Sequence, residues 1–176
     1  MFQIAIAAHS SNPSEEMARK AEKFVSAIKR NDVIILLGGY WGLMKVVADR
    51  ALSEGIPVVM VLPMERDVPV PEKVVRIDSG SEYRSRSIPL IRSSDVVVAL
   101  GGGAGTIIEI LLGYAMGKHT FVLKGNGMSS DNLEKAFPDF IDERKVTRVM
   151  YFDNVEEMAK EVLSSMDHRK VEERFG

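Results

Sequence analysis

A run of glycines between an apolar segment and a helical segment is the feature of this sequence best suited to bind a ligand. Val96 to Leu100 is followed by Gly101, Gly102, Gly103, Ala104, Gly105 and Thr106. Glycines let the backbone turn sharply and let a ligand approach its N–H groups, and the N-terminus of the helix that follows attracts anions. A tight turn alone could explain a glycine run, but four glycines in five residues favour a phosphate-binding loop.

A second glycine group occupies the equivalent place after another apolar segment. Gly38, Gly39 and Gly42 follow Val33 to Leu37. In an open α/β sheet both loops lie at the carboxyl ends of their strands, where ligands bind, so we expect one shared crevice that holds phosphate. Between these glycines, Tyr40 and Trp41 either pack at a helix start or stack on the ligand, and the sequence leaves both interpretations open.

Glu109 is the candidate reactive carboxylate. It is the only charged residue from Ala104 to Gly117, and a carboxylate among isoleucines and leucines needs a partner or a ligand to offset its desolvation. Arginines predicted on the preceding helix, Arg84, Arg86 and Arg92, could pair with Glu109 or bind a phosphate. Ser10 and Ser11 follow the first predicted strand, where they either donate to a phosphate or begin a helix.

Several kinds of chemistry are excluded or not expected. There are no cysteines, so thiolate metal sites and cysteine nucleophiles are excluded, and His9, His119 and His168 lack metal-ligand spacing. We therefore predict no metal site. Neither a P-loop lysine nor the spacing of a dinucleotide-binding loop is present.

Composition narrows the partners and the location. The 23 basic and 25 acidic residues are dispersed, so no basic patch favours nucleic acid as a partner. No apolar run could span a membrane, and the N-terminus lacks the pattern of a signal peptide, so we expect a cytoplasmic protein with no membrane partner. The absence of cysteine, together with abundant charged residues, is typical of a thermophile.

Short β-branched runs alternate with helical patterns, which predicts an α/β fold: a single Rossmann-like, doubly wound, mostly parallel sheet with helices on both faces. One domain over residues 1–166 and a charged C-terminal tail over 167–176 are expected. The first helix is predicted to start at an Asn12 cap. Six strands are predicted: Phe2 to Ala7, Val33 to Leu37, Val58 to Leu62, Val96 to Leu100, Thr120 to Leu123 and Arg148 to Phe152.

The helix beginning near Ala104 has almost no polar face. Such a helix lies either in the centre of a fold or in a contact between subunits. Its apolar stretch, Ile107 to Met116, suits a homodimer or a higher homo-oligomer.

The two glycine motifs together resemble those of the LOG-like superfamily. They read Gly38-Gly39-Tyr40-Trp41-Gly42-Leu43-Met44 and Gly102-Gly103-Ala104-Gly105-Thr106-Ile107-Ile108-Glu109, and the resemblance extends from the first strand to about Leu123. This superfamily includes cytokinin-activating phosphoribohydrolases, often mislabelled lysine decarboxylases, and molybdenum-cofactor carrier proteins. Lysine decarboxylase activity is not expected.

The resemblance implies roles for particular residues. The hydrolase motif P-G-G-x-G-T-x-x-E places its catalytic glutamate on Glu109 and the upstream arginine on Arg86. It also implies that the glycine loop and Thr106 hold a 5'-phosphate near Ser10. Gly101 stands where the hydrolases have proline, a feature closer to the carrier-like branch.

Two functions are therefore expected. The first is metal-independent hydrolysis of the N-glycosidic bond of a nucleoside 5'-monophosphate. The alternative is a non-catalytic carrier of a molybdopterin-like ligand or a nucleotide sensor. Neither requires a cofactor, although a nucleoside monophosphate or a molybdopterin-like molecule is the expected bound ligand.

Overall fold

The computed structural model describes residues 1–64 and 69–172, the last six of these by their backbone only. The strands are β1 (Phe2–Ala8), β2 (Val33–Leu37), β3 (Val58–Leu62), β4 (Val75–Asp78), β5 (Val96–Gly101), β6 (Thr120–Leu123) and β7 (Val149–Phe152). The helices are α1 (Glu15–Ala27), α2 (Gly42–Ser53), α3 (Ser87–Arg92), α4 (Ala104–Ala115), α5 (Leu133–Ala136) and α6 (Val155–Glu172), with a 3₁₀ turn over Ser129–Asn132.

All seven strands form one parallel sheet in the order β4-β3-β2-β1-β5-β6-β7. The chain builds outward from β1 in one direction, then returns to the other side of β1 with β5. Loops at the carboxyl ends of β1 and β5 therefore diverge and leave a crevice, where α/β proteins of this type bind ligands. The predicted Rossmann-like fold is confirmed.

Helices cover both faces of the sheet. On one face α1, α2 and α6 pack on the largest core cluster, which includes Ile4, Phe24, Val47 and Val162. On the other face α3 and α4 pack over alternate strand positions such as Ala5 and Ala7. Because the central strands are buried on both sides, their sequences are apolar throughout.

Three predicted details differ from the structure. Strand β4 was not predicted: it has only four residues, lies exposed at the sheet edge, and alternates Val75 and Ile77 with charged residues instead of forming an apolar run. The Asn12 cap is wrong: Ser14 caps α1 by accepting a hydrogen bond from the Met17 N–H at 3.2 Å. Arg84 and Arg86 precede α3 in a turn, and only Arg92 lies on that helix.

The backbone of α6 continues to residue 172, past the predicted start of the tail at residue 167, and residues 173–176 lie outside the described part of the chain. None of the helices in residues 1–64 and 69–172 has the length and apolarity needed to cross a membrane.

Candidate functional site

A cleft of about 470 Å³ lies at the carboxyl ends of β1 and β5. Its volume is in the range of pockets that bind small molecules. Six of the residues predicted to bind phosphate line it, and so does the predicted catalytic pair of Arg86 and Glu109. Those six are Ser10, Ser11, Gly103, Ala104, Gly105 and Thr106.

The start of α4 is shaped to receive an anion. Gly103 is its N-cap residue and supplies no side chain to cap the helix. The first N–H groups of a helix have no acceptor within it, and the helix dipole makes this end positive. Gly103, Ala104 and Gly105 border the cleft, and the hydroxyls of the exposed Ser10 and Ser11 border it from the end of β1.

Glu109 lies in the second turn of α4 and forms a buried ion pair. Arg86 Nη1 donates to Glu109 Oε1 at 2.9 Å, and the side chain of each residue is only 8% exposed. The Ser87 hydroxyl donates to the same oxygen at 2.9 Å. Since both bonds end on Oε1, the second oxygen of this cleft-lining carboxylate is left for a ligand.

Burial raises the pKa of Glu109 above its ordinary value, while Arg86 and Ser87 act in the opposite direction. Removing a carboxylate from water disfavours its charged form, and a nearby guanidinium and a hydroxyl donor favour it.

The guanidinium of Arg86 lies on Gly38. A Cβ atom added to Gly38 would come within 1.8 Å of Arg86 Nη1, so only glycine leaves room for the arginine. Gly38 does not line the cleft. The absence of a side chain at Gly38 therefore leaves the space that the Arg86 guanidinium occupies.

Gly39 and Gly42, also predicted to bind phosphate, likewise lie outside the cleft lining. A Cβ atom on Gly39 would be 2.4 Å from Cη2 of Trp41. Gly42 has φ of 55° and would place a Cβ atom 2.4 Å from the carbonyl carbon of Ser10. Both glycines let α2 begin close to the end of β1.

Gly101 and Gly102 hold the first glycine loop in place and are also absent from the cleft lining. The Gly102 N–H donates to Ser130 Oγ at 3.1 Å, so this predicted phosphate donor already has an acceptor. A Cβ atom on Gly102 would lie 2.0 Å from Thr106 Oγ1. Gly101 has φ of 116°, a conformation that side chains rarely adopt.

His9 is a cleft residue for which the sequence suggested no role. Its ring is buried, Nδ1 lies 3.0 Å from Ser11 Oγ, and Nε2 has no hydrogen-bond partner in the described part of the chain. Burial lowers the pKa of His9, so the ring is neutral at pH 7. Its backbone joins the loops, since it donates to Gly101 O and accepts from Leu43 N.

The sequence also did not single out other residues that line the cleft, namely Met44, Tyr83, Ser87, Ile108 and Met128. Tyr83 and Ser87 flank the segment of Arg84 and Arg86, and this nearness to candidate arginines was the one signal that could have found them. Met128 follows β6 and reaches the cleft only because the sheet order brings the end of β6 next to β5. Within residues 1–64 and 69–166, no three His, Cys, Asp or Glu side chains gather where they could hold a metal ion.

A family model described as the SLOG cluster4 family matches residues 1–159, which is most of the chain. The chain belongs to the SLOG cluster4 family. This confirms the resemblance to the LOG-like superfamily that the glycine motifs carry.

Relatives of this SLOG cluster4 protein include one from Archaeoglobus fulgidus described only as an uncharacterized protein, 33% identical over 62% of this chain and 72% of the relative. Another is a probable cytokinin riboside 5'-monophosphate phosphoribohydrolase, LOGL6, from Oryza sativa subsp. japonica. It is 32% identical over 48% of this chain, and the match spans only about a third of its own length, 34%.

Solved structures share the fold over nearly the whole chain. The X-ray structure of TM1055 has a TM-score of 0.86 at 28% identity and covers 93% of this chain and 99% of its own. The Moco carrier protein from Chlamydomonas reinhardtii has a TM-score of 0.77 at 20% identity, with 95% and 98% covered. At that identity the likeness concerns the fold alone.

Proposed function

We propose that the cleft binds a nucleoside 5'-monophosphate and hydrolyses its N-glycosidic bond without a metal ion. The observation that carries this proposal is the buried Arg86–Glu109 pair, with one carboxylate oxygen left for a ligand beside the uncapped N-terminus of α4. The similarity of 48% of this chain to a probable cytokinin riboside 5'-monophosphate phosphoribohydrolase supports the same chemistry.

The ligand phosphate binds at the start of α4. Backbone N–H groups there, with the hydroxyls of Ser10, Ser11 and Thr106, suit an anion better than a neutral group. Anchoring the phosphate fixes the ribose relative to Glu109, which lies one turn further along the helix. Such fixation converts binding energy into correct orientation of the reacting bond.

Glu109 acts on the ribose. As the bond from the anomeric carbon to the base nitrogen breaks, the base leaves with the bonding electrons and positive charge develops on the ribose ring. A fixed carboxylate stabilises that charge and accepts a proton from the attacking water, while the leaving base takes a proton from solvent and Glu109 then returns its own to solvent. The products are the free base and ribose 5-phosphate, and Arg86 holds the carboxylate in position.

The test is incubation of the purified protein with a panel of nucleoside 5'-monophosphates, with chromatography of the released base. We expect release by the wild type and a loss of at least about 100-fold in Glu109→Gln, because a neutral amide can neither take a proton nor stabilise the ribose charge. Glu134→Gln, which removes a carboxylate paired with Lys124 away from the cleft, serves as the matched control and should keep its rate. Absence of release from every nucleotide at high protein concentration would reject the hydrolase.

A second function, non-catalytic binding of a phosphorylated pterin-like ligand, is favoured by Gly101. Its φ of 116° is one that proline cannot adopt, since the proline ring holds φ near -65°. The loop therefore follows a path unavailable to the proline-containing hydrolase motif. Calorimetry with such a ligand tests this alternative, and clear nucleotide turnover without pterin binding would exclude it.

A further inference from the structure

Two aromatic rings border the cleft beside the phosphate end. Trp41 is the N-cap residue of α2, and Tyr83 lies in the turn before α3. Their ring centroids are 6.1 Å apart with planes at 74°, an edge-to-face arrangement that aromatic pairs favour. The two rings thus stabilise each other although they come from different elements.

The indole ring of Trp41 lies directly against Gly39. The nearest atoms to a Cβ built on Gly39 are Cη2, Cζ2 and Cζ3 of the indole, at 2.4, 2.6 and 2.7 Å. Part of the ring also packs against the main core cluster. An indole fixed in this way loses little conformational freedom when a ligand stacks on it.

Tyr40, the neighbouring aromatic residue, has a different environment. Its hydroxyl donates to Asp49 Oδ1 at 2.5 Å, the Lys45 ammonium lies over its ring, and it does not line the cleft. Of the two aromatic residues between the glycines, only Trp41 is therefore placed to meet a ligand. The sequence left open whether these two residues pack at a helix start or stack on a ligand. Packing fits Tyr40, and stacking fits Trp41.

The cleft has two chemically distinct parts. One part offers the start of α4 with Ser10 and Ser11, which suit a phosphate. The other part offers the two aromatic rings with Met44 of α2, whose flexible thioether adapts to flat apolar surfaces. A ligand complementary to both parts carries an anionic group and a planar ring.

We propose that Trp41, with Tyr83 at its edge, forms a stacking site for the fused heteroaromatic ring of the phosphorylated ligand. This inference rests on the proposed function, which places the ligand phosphate at the start of α4. It adds a site for the ring of the ligand, which contacts to the phosphate cannot select. A purine base and a pterin share this ring chemistry, and the experiment separates them.

The first measurement uses the wild-type protein. Trp41 is the only tryptophan of the chain, so intrinsic tryptophan fluorescence reports on this site alone. Adenosine 5'-monophosphate should quench the emission in a saturable way, whereas ribose 5-phosphate, which has no aromatic base, should bind without quenching. 6-Hydroxymethylpterin, added separately, tests whether the site stacks on a pterin ring instead of a purine base.

The second measurement is calorimetry on variants. Trp41→Ala should weaken binding of adenosine 5'-monophosphate by about 10-fold or more, in line with base–aromatic stacking of 1–3 kcal/mol, and change ribose 5-phosphate affinity by less than about 3-fold. Trp41→Phe keeps a ring and should lose less. Tyr40→Leu, a neighbouring aromatic residue outside the cleft, is the matched control and should bind both ligands as the wild type does.

Each outcome is decisive. If the nucleotide binds without affecting Trp41 emission, or if Trp41→Ala weakens both ligands equally, the stacking site is refuted while phosphate binding stands. Quenching by the pterin, when the nucleotide does not bind at all, supports the stacking site with a pterin as its ring and rejects adenosine 5'-monophosphate as the ligand. If ribose 5-phosphate and both ring compounds all fail to bind, the proposed function and the stacking site are refuted together.

Discussion

At the scale of single residues, two opposing effects act on the ionisation of Glu109. Its burial among the residues of α4 and the sheet disfavours the charge, and the two donors on Oε1 favour it. Breaking such a buried pair by removing one partner leaves the other charge without compensation. The pair is therefore both the candidate reactive group and a sensitive point for stability.

The pH dependence of stability follows from the raised pKa of Glu109. Between the pKa values of the unfolded and folded chains, the folded protein holds a proton that the unfolded chain has lost. The contribution of Glu109 to the unfolding free energy is therefore present below the unfolded pKa and declines as pH rises through the folded pKa. Urea denaturation across this pH range should show the decline in the wild type and not in Glu109→Gln.

Ser87→Ala should extend that decline to higher pH, because loss of the hydroxyl donor raises the pKa of Glu109 further. The matched control is Ser94→Ala, which removes a buried serine hydroxyl bonded to Ile91 O rather than to a carboxylate. Identical pH profiles for the two variants would contradict the role assigned to Ser87.

At the scale of elements, the junction from β5 to α4 depends on Gly101. The Asn126 side chain spans the ends of two strands there, donating to Leu100 O and Leu123 O at 3.2 and 3.1 Å. A Cβ atom on Gly101 would lie 3.1 Å from Asn126 Nδ2 and 3.2 Å from Met17 Cε. The positive φ and the close neighbours together require glycine.

Gly101→Ala should destabilise the protein by about 2 kcal/mol, because the strained φ and the displaced Asn126 both act against the folded state. Gly105→Ala is the matched control: nothing lies within 4 Å of its Cβ position, and alanine is favoured over glycine in a helix by up to about 1 kcal/mol. Chemical denaturation should give opposite signs for the two substitutions. A Gly101→Ala variant as stable as the wild type would show that the loop tolerates a side chain.

At the scale of the whole molecule, α4 buries one side against the sheet and leaves apolar residues partly exposed on the other. Ile107 and Leu111 are only half-buried, and Ile88 on the adjoining α3 is 51% exposed. Where exposed apolar side chains of neighbouring helices form one patch, that patch is typical of protein contacts. A second copy of the chain is the partner expected from the sequence.

Light scattering at micromolar concentration should accordingly give about twice the mass of one chain, a two-fold symmetric dimer being the commonest homo-oligomer. The double variant Ile88→Glu with Ile107→Glu should give the mass of a monomer, since charges in an apolar contact are costly to desolvate. Val75→Glu places the same charge on the exposed edge strand β4 and should leave the mass unchanged. A monomeric wild type would contradict the prediction.

Much of the fold and part of the site could be predicted from the sequence, because the relevant signals are local. Apolar β-branched runs and helical periodicity fall within single segments, so six of the seven strands and the α/β class were predictable. The glycines before α4 and the lone carboxylate within it are likewise contiguous in the chain. Edge strand β4 was not predicted because its four residues hold only two apolar side chains, Val75 and Ile77, which alternate with charged ones.

Only the tertiary structure decided which of the glycines and polar residues meet. Gly38 and Arg86 are distant in sequence, and their contact depends on β2 and the turn before α3 ending at the same edge of the sheet. Trp41 lines the cleft whereas the adjacent Tyr40 does not, and this difference depends on how α2 begins against β1. A glycine in the sequence indicates that space or an unusual backbone is needed there, whereas the folded chain determines whether a ligand or a side chain fills that space.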